Sequence, residues 1–149
     1  METPENEIFR DSISTVTAEG KRAWIFPKKP DPADFSNQHL IIHSFPLETV
    51  SVYHHFLRVH QVDPLKITAI PMTEVALELI ESNMGISCHS KWALKVFNLP
   101  DCLKFIPLGR NGLKRKHYLA IRAEDRDKQY IQDFVDNIKE DSSLTAFKS

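Results

Sequence analysis

Histidines, two cysteines and a run of cations are the side chains of this sequence with chemistry to offer. His54, His55 and His60 fall on or just after one predicted helix, and His39 and His43 bracket a predicted strand, which is raw material for a metal site. No carboxylate or cysteine stands at ligand spacing beside them. His39 and His43 would share a strand face yet lie too far apart to chelate together. Cys88 and His89 offer a nucleophile next to a base, but neighbours on a strand point to opposite faces and cannot serve one substrate atom. With 2 cysteines, unpatterned and flanked by Ile86 and Leu103, buried free thiols are expected rather than a disulfide. Arg110, Lys114, Arg115 and Lys116 could hold a phosphate or nucleic acid. They flank a turn between strands, with no aromatic interleaving beyond His117 and Tyr118, and read as a solvated hairpin tip. A glycine-rich phosphate loop and a G-x-S-x-G elbow are both missing from a chain with 4 glycines. No enzyme, no metal and no cofactor is the reading.

Composition narrows the class further. A chain of 149 residues supports one well-packed core and is short for two. Its 19 basic and 20 acidic side chains leave a net charge of -1, which argues against a strong nucleic-acid binder. No apolar run reaches membrane-spanning length, and the acidic Met1–Glu7 start is unlike a signal peptide, so a cytoplasmic location is expected.

The elements that must position any site alternate. Ile67–Ile70 is a β-branched run broken by Pro71, and Thr73 is placed to cap a helix running to Ser82. Val75, Ala76, Leu79 and Ile80 recur at helical spacing, and Asn83 suits the left-handed residue just past a helix end. Ile86–Cys88 starts another strand. Upstream, Ser12–Ala18 reads as a strand and Trp24–Phe26 as an apolar patch before a proline loop. Asp31 can cap a turn with Pro32 at its first position, and His39–His43 is apolar enough to be buried on both faces. A loop over Ser44–Thr49 precedes a helix at Val50–Val59 and a turn at Gln61–Pro64. Downstream come a short helix at Lys91–Val96, strands at Leu103–Leu108 and Lys114–Arg122, and a helix at Asp127–Lys139. That last helix carries Tyr130, Ile131, Phe134, Val135 and Ile138 on one stripe. The order is α/β with a mixed sheet flanked by helices. A helix starting just after a strand aims its N–H groups past the strand's end, where open sheets bind ligands, although a lone β-α-β unit is more often plain scaffold than a ligand site.

Residues Asp34–Glu48, Phe56–Leu57 with Val62–Pro64, Thr73–Ile86 and Trp92–Ala93 occur in an order that resembles the effector-binding domain of LysR-type transcriptional regulators. Within that family they are most similar to the branch controlling methionine biosynthesis. Pro107–Gly109, Gly112–Leu113, Arg115, Tyr118–Arg122 and Phe134 continue the resemblance in register.

The resemblance implies a periplasmic-binding-protein-like (type 2) fold, in which two α/β subdomains joined by crossing strands close on a small molecule. Residues 7–122 would form the second subdomain, with Ser12–Ala18 and Lys114–Arg122 as crossing strands and residues 1–6 as a disordered tail. Residues 123–149, the last helix and tail, would belong to the first subdomain, whose other half and the DNA-binding helix-turn-helix are not in this chain. The stripe of that helix would then be short of a partner, with Phe134 and Ile138 exposed. The implied ligand wall is Ser44, Phe45, Pro46 and Thr49, facing Thr73 and its helix N-terminus. It would take a small, anionic, amino-acid-like effector, homocysteine-like if the methionine branch holds. Taken singly, Thr73 is an ordinary cap and Pro46 a loop breaker; the joint pattern carries the ligand reading. A homodimer is implied too, and DNA contact only through the absent helix-turn-helix. The alternative is a dimerisation module using Val50–Val59 and Ala76–Ile80. Where the family has a Leu-Leu-Pro-like segment bordering the cleft, this chain has Cys88-His89-Ser90, so ligand identity does not carry over.

Overall fold

The structure, a computed structural model, describes residues 7–18, 30–109 and 112–141. The Trp24–Phe26 patch, Arg110 and both tails lie outside the described residues. Two compact units emerge, one of Met1–Asp11 with Lys114–Ser149 and one of Ser12–Leu113.

The larger unit is built on a mixed sheet. Strand β1 (Glu7–Ala18) lies between β4 (Ser87–Ser90) and β5 (Leu103–Pro107), antiparallel to both, with Thr15 opposite Cys88 on one side and Ile106 on the other. Strands β2 (His39–Ile42) and β3 (Lys66–Ala69) form a parallel pair. A single parallel bridge, Leu40 to Ile86, joins the two sheets; Ile41 N donates to Ile86 O at 2.8 Å and Ile86 N to His39 O at 2.9 Å. Glycine at 85 is required by this close approach, since a Cβ there would stand 2.8 Å from the His39 carbonyl oxygen.

Side-chain alternation sends residues into two layers. Ile13, Leu40, Ile42 and Ile86 pack with Phe35, Val52, Leu57 and Leu108 on one side. Val16, Ala18 and Ile41 pack on the other with Leu94, Leu103 and helix α1 (Thr73–Glu81) through Ala76, Leu77 and Ile80. β2 is thus buried on both faces, as its uniform apolarity predicts. The C-terminus of α1 forms a Schellman turn: Asn83 N donates to Ile80 O and Met84 N to Leu79 O, both at 2.9 Å, with Asn83 at φ 61°. Asp31 and Pro32 open a 3-10 turn over Pro32–Asn37 as expected, and the Asp34 carboxylate accepts from Asp31 N.

Three expectations are corrected. β1 starts at Glu7 rather than Ser12, because Phe9 and Asp11 are buried on one face of its first half. The helix expected over Val50–Val59 widens to a π turn at Tyr53–Leu57 and tightens to a 3-10 turn at Arg58–His60. That extra residue per turn accompanies burial of both Val52 and Leu57 and an edge contact of Phe56 on Phe35. Lys91–Val96 makes turns instead of a helix: Ser90 Oγ captures Ala93 N, and Leu94 alone of the six is buried.

In the smaller unit, β6 (Leu113–Tyr118) pairs with β1 and ends before the expected Arg122. Leu119–Arg122 instead line a groove of about 220 Å³ with Asp125, Ile131, Phe134 and Val135 of the segment leading into and forming α2 (Gln129–Glu140). No α2 residue is buried; Tyr130 is 64% and Phe134 55% exposed, and Ile138 is half-buried.

Candidate functional site

The register of β2 on β3 decides where the site lies. His39 pairs with Lys66 and Ile42 with Ala69, so both strands finish at one sheet edge, and Ile70 N donating to Ile42 O at 2.8 Å carries the pairing one step further. The two segments that leave that edge are the His43–Thr49 loop and the Pro71–Thr73 entry to α1. Sequence-expected Ser44, Phe45, Pro46, Thr49 and Thr73 are therefore delivered to one end of one strand pair.

Their local roles differ. Ser44, Phe45 and Pro46 are exposed, Phe45 by 59%, and the Phe45–Pro46 peptide is cis. Thr49 closes the loop on itself, its N and Oγ1 both donating to Pro46 O, at 3.1 and 2.7 Å. Its hydroxyl hydrogen is thus engaged, leaving Ser44 as the loop's open hydroxyl donor. Thr73 is not the cap: Met72 holds the extended capping conformation and its carbonyl already accepts from Ala76 N at 3.1 Å, so Thr73 is the first helical residue. No side chain caps the helix. The N–H groups of Thr73, Glu74 and Val75 consequently have no acceptor within α1, and they concentrate the positive end of its dipole. The sequence reading missed Met72. It is 61% exposed and leaves the same end of the strand pair as Phe45; its place between Pro71 and Thr73 was the available signal.

The other reactive side chains are occupied elsewhere. His39 Nδ1 donates to Met84 O at 2.7 Å, and its Nε2 is hydrogen-bonded with Thr68 Oγ1 at 2.7 Å. His60 Nδ1 donates to Phe56 O at 2.8 Å. Among the described residues no three metal-binding side chains cluster. Burial pushes the Cys88 thiol up to about 12, an effect the neighbouring Thr15 side chain only partly offsets, which disfavours a thiolate nucleophile at neutral pH. Cys88 pairs with Thr15 and His89 with Ser14, which puts them on opposite faces of the sheet. Arg115, expected in a solvated tip, pairs instead with Asp11.

A parallel strand pair bridged to an antiparallel sheet, with helix α1 packed on it, defines a mixed α/β domain. Residues 6–143 match the LysR substrate binding domain, and the chain belongs to that family.

Its relatives are distant. The chain is 24% identical over 112 residues to the HTH-type transcriptional regulator MetR of Haemophilus influenzae, covering 75% of this chain and 36% of that protein. The regulatory domain of NMB2055 (MetR), a LysR family regulator from N. meningitidis, superposes with a TM-score of 0.81 at 22% identity, covering 95% of this chain and 64% of that one. The Synechocystis PCC6803 CcmR regulatory domain in complex with 2-PG gives a TM-score of 0.74 at 15% identity, covering 100% and 71%. These superpositions establish the periplasmic-binding-protein-like fold of LysR regulatory domains. No helix among the described residues is long and apolar enough to cross a membrane.

Proposed function

We propose that the edge formed by Ser44, Phe45, Pro46, Thr49 and Thr73 is one wall of an effector site for a small anionic metabolite, amino-acid-like and in the methionine branch homocysteine-like. The observation that carries the reading is the uncapped N-terminus of α1 brought by the parallel β2–β3 register beside an exposed apolar loop. The carboxylate is held by the N–H groups of Thr73–Val75, the Ser44 hydroxyl adds a donor, and Phe45, Pro46 and Met72 contact the aliphatic or sulfur-bearing part. Residues 7–122 act as the second subdomain and α2 as part of the first, so the wall works at full strength only with the rest of a two-lobed domain. DNA binding resides in a helix-turn-helix domain of the regulator outside this chain, and the regulator works as a homodimer. Binding by this chain alone is weak, because half the contacts that would immobilise the ligand are elsewhere.

Calorimetry with L-homocysteine, its methyl ester and L-methionine tests this. Heat is expected with the free carboxylates and lost on esterification. Thr73→Pro keeps a residue suited to the first helical position while deleting both the hydroxyl and an N–H donor, and should weaken binding at least tenfold. Equal binding of the ester, or no effect of Thr73→Pro and Ser44→Ala together, overturns the assignment.

The exposure of Tyr130 and Phe134 favours a second reading, a self-associating module without a ligand. Ala76 and Ile80 do not supply that surface, since they are buried against the chain's own sheet. A stable dimer by light scattering with no heat from any of the three compounds selects it.

A further inference from the structure

The chain passes between its two compact units twice, at Asp11–Ser12 and at Leu113–Lys114, and the residues beside both passages are tied together. Asp11 is 3% exposed at its side chain and takes a two-pronged pair from Arg115, Nε to Oδ1 at 3.0 Å and Nη2 to Oδ2 at 2.6 Å. His117 Nε2 lies 3.1 Å from the same Oδ2, and its ring stacks on Phe9 with 4.2 Å between centroids and 2° between planes. Just past the passages, Gly112 has φ 72°, the left-handed region that favours glycine, and a Cβ on it would press on the Ser12 hydroxyl. One side is closed by charge and stacking, the other by the close approach of Gly112 to the Ser12 side chain.

The two halves of β1 depend on this tie unequally. From Ile13 onward β1 is held by β4 and β5; over Glu7–Asp11, β6 is its one strand neighbour among the described residues. Asp11 is buried while the Arg115 side chain keeps some exposure; an ion pair with a buried partner is a weak source of net stability, because the desolvation cost offsets the attraction, and its best-attested use is to fix a register or a switch. Burial works against ionisation of Asp11, but the Arg115 hydrogen bond and charge, then His117, outweigh it and hold the carboxyl below its ordinary value. With Nε and Nη2 both engaged by Asp11, Arg115 is a poor candidate for binding an external anion.

We propose that Asp11, Arg115, His117 and Phe9 form a clasp that fixes β1 on β6 at the two chain passages, with Arg115 as its positioning residue. Opening the clasp frees the β1–β6 ribbon while the sheet of the larger unit stays intact. This rests on the strands and units alone and is independent of what occupies the loop after β2.

Residue-resolved hydrogen exchange on the full chain tests it. In the wild type, amides at 8–11 and 114–118 should be protected well above open-chain rates. Arg115→Met and Asp11→Asn should each speed those amides at least tenfold while amides at 13–17 stay within twofold, and the double variant should be no faster than the worse single one. Arg115→Lys should fall between, since an ammonium replaces the charge but not the fork. Open-chain rates at 8–11 in the wild type, equal acceleration at 13–17, or additive single effects would each overturn the clasp. The wild-type measurement decides even where Arg115→Met fails to fold.

Discussion

In the Ser12–Leu113 unit, α1 lays Ala76, Leu77 and Ile80 on the sheet and leaves Glu74, Val75 and Glu78 outside. In the other unit, α2 carries Ile131, Phe134, Val135 and Ile138 at the same helical spacing and fully buries none of them. Both helices satisfy the amphipathic pattern, yet only one has found what its stripe was made for. Periodicity reports that a helix has an apolar face; whether that face is covered depends on strands that the pattern does not contain.

The sharpest way to break this contrast is to cut side chains from each unit. Leu40→Ala removes a fully buried side chain from the middle of the sheet and should cost roughly 2–5 kcal/mol by urea unfolding. A cost below that range would show the larger core to be loosely packed. Gly85→Ala places a methyl against the His39 carbonyl oxygen and the Ile41 side chain, which should cost about 1–3 kcal/mol. Asn83→Ala puts an ordinary side chain at φ 61° and should cost about 1 kcal/mol, read as a lower melting temperature that Asn83→Gly does not share.

Acid probes the smaller unit. Asp11 titrates below its ordinary 3.8, so its contribution is complete above that pH and is lost as pH falls through the lower folded value. Asp11→Asn should remove that part of the acid sensitivity in a pH series of unfolding midpoints. An unchanged acid limb would show that the Arg115 pair contributes nothing to folding. The smallest effect belongs to Phe134→Ser, expected to change stability by less than about 0.5 kcal/mol and to reduce self-association in light scattering. If it rivals Leu40→Ala, α2 is covered after all and the contrast collapses.

What could be read from residues alone follows the same divide. β2, α1, the Asn83 turn and the Asp31–Pro32 start were legible because each is specified by neighbours in sequence. β1 before Ser12 was not, since Glu7, Arg10 and Asp11 look unlike a buried strand until Arg115 arrives from 104 positions away. That same distance made Arg115 look solvated. Thr73 and the Ser44–Thr49 loop are recognisable from strand-then-helix order and family resemblance, but Met72 as the capping residue, and the closed Thr49 hydroxyl, are decided by backbone geometry at single-residue precision.

The boundary between the units has an uncommon location. Boundaries of this kind fall as a rule in exposed linkers, whereas this one falls inside a strand, between Asp11 and Ser12, with Phe9, Asp11 and Ile13 all buried. A protease needs several residues of accessible, extended backbone to cut, and here that backbone is already paired. Limited digestion should therefore leave β1 whole, and a truncation at Ser12 would sever a strand in place of a tether, taking from each half a piece of its own sheet.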